Sequence, residues 1–80
     1  MSYHIRHISK GVLGEPSKIR EELEEYEDAV AQGNKIMASV ELSDLYGALE
    51  ALARRQGLCM EDLQTMAKAT ERAFKLRSRR

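Results

Sequence analysis

The sequence predicts an all-α fold: a bundle of about three helices per chain, with a four-helix core completed by oligomerisation. Three observations carry this. Apolar residues recur every three or four positions, as in Ile19, Leu23, Tyr26 and Val30. Glycine-centred breaks, QGN at 32–34 and QG at 56–57, cut the pattern into pieces of helical length. No segment alternates apolar and polar residues as a half-buried strand does.

Eighty residues hold one domain. We divide 1–80 into an N-terminal arm (1–15), a helical core (16–77) and a basic tail (78–80). The arm, MSYHIRHISKGVLGE, carries glycines at 11 and 14 and reads as an irregular segment or short helix. Pro16 suits the first position of a helix, where its missing N–H costs nothing. The first helix then runs to QGN, where Gly33 is placed for a left-handed C-cap. Asn34 is placed to cap a second helix, which runs to Gly57. Gly47 inside it costs about 1 kcal/mol relative to alanine, which marks it as a point of close helix approach. The third helix covers about residues 60–77, with Glu61 and Asp62 in its first turn and bases in its last turns, as the helix dipole favours.

Composition excludes several classes. Thirteen basic and thirteen acidic residues cancel, so there is no bulk attraction to nucleic acid, although the tail KLRSRR is locally basic. Tyr3, Tyr26, Tyr46 and Phe74 are a poor supply of base-stacking platforms. No apolar run approaches the roughly 20 residues that span a bilayer. Cys59 is alone, so no disulfide forms within the chain; with no secretory apolar region, this implies a cytoplasmic protein.

The acids are unevenly placed. EELEEYED, residues 21–28, holds six carboxylates in eight positions. With the apolar stripe of the first helix centred on Ile19, Leu23, Tyr26 and Val30, a turn of about 100° per residue puts Glu21, Glu24 and Asp28 on the outer, solvated side. Glu22 and Glu25 fall on the flank of the apolar stripe. In the second helix Leu45, Leu49 and Leu52, helped by Ala38 and Ala48, define an apolar face. Glu41 projects into it among Met37, Leu45 and Ala48, and Asp44 flanks it. A carboxylate in apolar surroundings without a counter-charge loses several kcal/mol of solvation or takes up a proton. Antiparallel packing would bring Glu22, Glu25, Glu41 and Asp44 together as a hard-oxygen site for Mg²⁺, with Mn²⁺ an alternative. The plainer reading is that these acids are solvated and that Glu41 pairs with Arg54, Arg55 or Lys68.

At these residues the chain resembles the MazG-like nucleotide pyrophosphohydrolases. EELEE (Glu21, Glu22, Glu25) followed by ELSD (Glu41, Asp44) fits their EExxE…ExxD pattern. KGVLGEPSKIREE and QGNKIMASVELSDLYGALEALA resemble the flanking segments of small, often phage-encoded members, so the likeness covers about residues 8–75. The resemblance implies an all-α enzyme, in the host cytoplasm if phage-encoded, that cleaves a nucleoside triphosphate between its α and β phosphates to the monophosphate and pyrophosphate. It implies that Glu22, Glu25, Glu41 and Asp44 hold Mg²⁺, with Glu21 beside them. Glu21 or Glu22 is expected to orient or deprotonate the attacking water. Lys68 and Arg72 on the last helix, with Lys18 and Lys10, are expected to hold phosphates; Thr70 stands where many members have asparagine. A phosphoribosyl-ATP pyrophosphohydrolase and a non-catalytic helical adaptor are the competing readings.

The remaining residues carry less. His4 and His7 are three apart, a spacing that invites a metal reading; the plainer reading is an exposed arm, with a contact to nucleotide or partner left open by the resemblance. Tyr46 and Phe74 read as core, with stacking on a base as the alternative; Met37, Met60 and Met66 read as core filler, and Cys59 as inert. The second helix is apolar on more than one side, since Ile36 and Val40 lie away from the leucine stripe, with Leu42 and Tyr46 between. A helix apolar nearly all round is buried on all sides, which predicts a homodimer or tetramer.

Overall fold

The structure, a computed structural model, describes residues 4–78. Its described residues form three helices and no strand: α1 (Pro16–Ala31), α2 (Lys35–Arg55) and α3 (Met60–Ser78). The final arginines of the expected basic tail, 79–80, lie outside the described residues. Residues 4–15 form an irregular arm.

The helix boundaries follow local chemistry. Pro16 opens α1. Gly33, at φ 72°, reverses the chain after α1, and the Asn34 N–H donates to the Ala29 carbonyl at 3.0 Å. Asn34 then caps α2, its side-chain oxygen accepting from the Met37 N–H at 2.9 Å. Gly57, at φ 85°, ends α2, and the Leu58 N–H returns to the Ala53 carbonyl. Asp62 accepts from the Cys59 N–H at 3.2 Å and from its thiol at 3.1 Å, which ties the start of α3.

The three-residue turn makes α1 and α2 an antiparallel pair, and this pair is the packed part of the chain. Contrary to the expected three-helix bundle, α3 packs along neither of them. The radius of gyration is 14.8 Å, against about 12 Å for a compact chain of this length.

The helix faces also differ from the sequence expectation. The buried residues of α1 are Glu21, Glu22, Asp28 and Ala29; those of α2 are Glu41, Ala48 and Ala53. On α1 the buried arc lies roughly 140° around from the apolar stripe at about 100° per residue. Leu23 is 44% exposed and Val30 53%. Glu21 and Asp28, placed on the outer face by the apolar wheel, instead face inward. Tyr46, Leu49, Met66 and Phe74 are exposed rather than core. Gly47 is open: a Cβ there would meet nothing within 4 Å, so it marks no close approach within the chain. Among the described residues the buried apolar ones are Ala29, Ala48 and Ala53, whose methyl groups contribute about 2 kcal/mol in total at roughly 0.8 kcal/mol each. Polar contacts and the arm therefore carry much of the α1–α2 association.

The arm is pinned to α1 at several points. The Arg6 guanidinium donates to the Glu24 carbonyl at 3.0 Å. The Gly11 N–H donates to Glu21 Oε1 at 2.8 Å, and the Val12 N–H to Ser17 Oγ at 3.0 Å. Arg55 Nη1 lies 3.5 Å from Glu15 Oε2, clasping the end of α2 to the start of α1. A Cβ on Gly11 would clash with the backbone of Ser17 and Lys18. Gly11→Ala is therefore expected to destabilise the protein by about 1–3 kcal/mol, the usual range for overpacking. Chemical denaturation measures this, and an unchanged midpoint would show that the arm is not seated against α1.

Candidate metal centre

Each half of the centre comes from one helix. On α1, Glu21, Glu22, Glu25 and Asp28 share one side because spacings of three and four repeat the helical turn. On α2, Glu41 and Asp44 do the same. The antiparallel turn then sets Glu22 beside Asp44 and Glu25 beside Glu41. Glu22, Glu41 and Asp44 each offer an oxygen within 4.8 Å of the others, and so do Glu21, Glu22 and Glu25. The four carboxylates Glu22, Glu25, Glu41 and Asp44 are thus brought into one cluster, with Glu41 buried and Asp44 exposed.

Counter-charges surround the cluster. Lys18 Nζ lies 3.1 Å from Glu21 Oε1 and 3.4 Å from Glu22 Oε1. Lys10, itself exposed, has Nζ at 3.7 Å from Glu21 Oε2. Glu21 is thus held by the Gly11 N–H and two lysines. Burial alone would raise its pKa, but these partners outweigh burial and keep it below the ordinary value. A carboxylate so occupied is a weak base and a poor fit to the expected water-activating role. Glu22 is the better fit. It is 6% exposed, and its Oε2 is a buried oxygen with no hydrogen-bond partner. Burial, then the neighbouring Glu25, push it up to about 7.

Sequence reasoning missed two residues of the centre. His4, expected on an exposed arm, lies between the helices: Nδ1 is 2.9 Å from Asp28 Oδ2, and Nε2 is 2.8 Å from Glu41 Oε2. Glu25 Oε2 is 3.5 Å from the same Nε2. Asp28, expected on the solvated face, is 5% exposed. Its Oδ2 also accepts from the Ile5 N–H and from Gln32 Nε2. Burial works against its charge, but the hydrogen bonds from His4, Gln32 and Ile5 prevail and hold it below the usual carboxylate value. The recurrence of Glu21, Glu25 and Asp28 at spacings of four and three was a usable signal for Asp28. The spacing of His4 and His7 invites a metal reading of the arm, but nothing in the periodicity places His4 beside Asp28 and Glu41, which are 24 and 37 residues away.

One imidazole does not neutralise this crowd. Burial disfavours charge on His4, yet hydrogen bonds to Asp28 and Glu41 raise it above its ordinary value. Glu41 is nonetheless also raised, by burial first and by Asp44 and Glu22 beside it, despite the opposing effect of His4. The two shifts look contradictory for a simple ion pair. They agree once the neighbours are counted: the site holds more carboxylates than cations. Glu41 pairs with His4 rather than with Arg54, Arg55 or Lys68. Arg54 bonds Glu50 at 3.1 Å, Arg55 reaches Glu15, and Lys68 is exposed on α3. Arg72 is exposed there too, so within one chain neither expected phosphate ligand of α3 reaches the carboxylates, while Lys18 and Lys10 do. An open groove beside the cluster is lined by His4, Arg6, His7, Lys10 and Glu25, among others.

No protein-family model, curated protein or solved structure matches this chain. The functional reading therefore rests on the motif spacing and on this geometry.

The raised Glu22 value has a sign that can be tested. Its folded value of about 7 lies above the ordinary 4.5, so between the two the native state binds more protons than the unfolded chain, and stability falls as pH rises. His4 acts in the same direction: its contribution is present below 6.5 and is lost as pH rises through its folded value. Without divalent ions, Tm is expected to fall as pH rises from about 5 to 8. Added Mg²⁺ should raise Tm most at the alkaline end, where protons no longer compete. A flat profile that ignores Mg²⁺ would contradict the cluster as described.

Proposed function

We propose that the chain is a Mg²⁺-dependent nucleoside triphosphate pyrophosphohydrolase of the MazG-like kind, cleaving (d)NTP to (d)NMP and pyrophosphate. The observation that carries this reading is the buried, unpartnered Oε2 of Glu22 inside a cluster of carboxylates drawn from EExxE and ExxD. An all-oxygen set of Glu22, Glu25, Glu41 and Asp44 suits Mg²⁺ or Mn²⁺, and an excess of negative charge is what such an ion relieves. Zinc, which favours Cys and His sets, fits these four oxygens less well.

Bound there, Mg²⁺ supplies charge stabilisation for phosphate oxygens and a more acidic water. The chain's own residues do the rest. Lys18 and Lys10 place positive charge at the edge of the cluster, where a triphosphate would meet it. The groove formed by the arm beside Glu25 admits the nucleotide. Glu22, through a carboxylate oxygen not taken by the ion, is placed to orient the attacking water or accept its proton. Glu21 fixes the Gly11 turn and Lys18. Lys68 and Arg72 join this site only if assembly carries α3 across it. The acid cluster at the helix interface disfavours the adaptor reading, because acids that only solubilise a helix belong on its outer face.

We also infer that the working form is at least a homodimer with a four-helix core made by α1 and α2 of two chains. Ile19, Leu42, Leu45, Tyr46 and Leu49 line an apolar groove. The chain exposes 6413 Å², against about 4,900 Å² for a compact monomer of its mass. The excess exceeds the roughly 800 Å² that each partner buries in a standard interface. A second copy brings the matching apolar stripe of α1 and α2.

Two experiments test these readings. Pyrophosphate release from the common NTPs and dNTPs with Mg²⁺ should be detectable, and Glu41→Gln or Asp44→Asn should lower it by at least about a hundredfold, the scale of losing a charge-stabilising group. Glu24→Gln, on the exposed side, should change it little; equal losses at Glu24 and Glu41 would overturn the assignment. A phosphoribosyl-ATP preference in the same panel would favour the biosynthetic relative. For assembly, Tm should rise with protein concentration, and Leu42→Glu should give a monomer that sediments at half the mass. A folded wild-type monomer at micromolar concentration would refute the dimer.

A further inference from the structure

We propose that His4 of the N-terminal arm is itself a metal ligand, through Nε2, and that Asp28 is the positioning residue that orients it. The inference rests on the carboxylate centre proposed above and extends it to a mixed nitrogen–oxygen position. That position is formed by His4, Glu25 and Glu41, whose ligand atoms all lie within 4.8 Å of one another.

The proton inventory leads there. Asp28 Oδ2 accepts from the Ile5 N–H at 3.2 Å and from Gln32 Nε2 at 2.8 Å, so it acts as an ionised acceptor. His4 Nδ1, 2.9 Å away, is then the N–H that donates to it. With Nδ1 protonated, Nε2 of a neutral ring presents a lone pair to Glu41 Oε2 at 2.8 Å and to Glu25 Oε2 at 3.5 Å. A lone pair facing two carboxylates is stable only with a positive species between them. In the metal-free protein that species is a proton. A divalent ion can take its place: ligands at adjacent corners around an ion with bonds of about 2.1 Å stand about 3 Å apart, close to the spacings found here.

The surrounding contacts match how proteins build such ligands. A metal-bound histidine almost always donates its other ring N–H to a carboxylate, carbonyl or water, which fixes tautomer and ring orientation. Asp28 occupies that place and is itself held by Gln32, one turn on, and by the arm's own backbone at Ile5. Glu41 is common to the His4 set and to the Glu22–Asp44 set. An imidazole also alters ion preference. Mg²⁺ prefers oxygen, whereas imidazole nitrogen suits first-row transition ions. The arm therefore biases the centre toward ions such as Mn²⁺.

The test reads binding rather than turnover, on the full chain. Mn²⁺ is titrated and followed by electron paramagnetic resonance, and the bound ion is examined by pulsed methods for coupling to ¹⁴N. Wild-type protein should show imidazole ¹⁴N coupling. His4→Gln should lose that coupling and bind Mn²⁺ at least about tenfold more weakly, while His7→Gln keeps both. Asp28→Asn should weaken Mn²⁺ by about 10–100-fold, the range for partners behind the ligands. Mg²⁺ affinity, read by competition, should fall less than Mn²⁺ affinity in His4→Gln. Circular dichroism checks that each variant is folded, and the wild-type spectrum decides the matter even if one is not. Mn²⁺ bound with Glu41-dependent affinity but without ¹⁴N coupling would overturn the role of His4 and leave the carboxylate centre standing. Equal or tighter Mn²⁺ binding by His4→Gln would overturn it too, making His4 a stand-in for the cation. Failure of wild-type protein to bind Mn²⁺ or Mg²⁺ at all would remove both readings.

Discussion

The structure depends on burying acids between two helices. Glu21, Glu22, Asp28 and Glu41 are buried among α1, α2 and the arm, in places where most small domains put leucine. Removing carboxylates from water is costly, and each needs a partner or a proton. The partners come from the N-terminal arm and the first turn of α1: the Gly11 N–H and Lys18 for Glu21, His4 for Glu41, and His4 with the Ile5 N–H for Asp28. The arm is therefore part of the interface. It closes a polar seam that the helices alone would leave open.

This seam separates the chain's two kinds of surface. The small residues Ala29, Ala48 and Ala53 let the helix backbones approach closely enough for carboxylates on both to converge. The large apolar residues are displaced to the other sides of the same helices, as Leu23, Val30, Ile36, Val40, Leu42 and Tyr46 show by their exposure. A polar centre inside and an apolar exterior make a poor monomer and a sound half of a larger bundle. Under the proposed function the two features belong together. Under it, a second chain would supply the apolar core, and each helix pair would keep its acids for an ion. Inverted polarity of this kind is a local violation of the usual burial rule, of the sort that concentrates at functional sites.

The carboxylates are also differentiated although their types are the same. Glu21 is saturated with donors and held ionised. Glu22 has one oxygen near Lys18 and one facing no donor, and burial, then Glu25 beside it, push it up to about 7. Asp28 serves the histidine. Glu41 is shared between His4 and the other acids. Residue type does not distinguish these roles; the number and kind of donors around each oxygen does. A divalent ion would act most on the acids with fewest donors, which are also those that match the motif's ligand positions.

Local chemistry legible in the chain determined the helices. Pro16, Gly33, Asn34, Gly57 and the acids Glu61 and Asp62 act within a few residues, and the structure ends or begins its helices at or beside them. The spacing of Glu22, Glu25, Glu41 and Asp44 was likewise sufficient to bring them together, because a short turn leaves two helices few ways to pack. The tertiary structure alone decided which face turned inward, where His4 and Asp28 went, and that α3 stayed out of the pair. A helical wheel assumes that the apolar arc is the buried one. Here counter-charges from a distant arm stabilise the acidic arc, and the apolar arc is left exposed. Those energies depend on residues 24 and 37 positions apart, and no periodicity within a single helix records them.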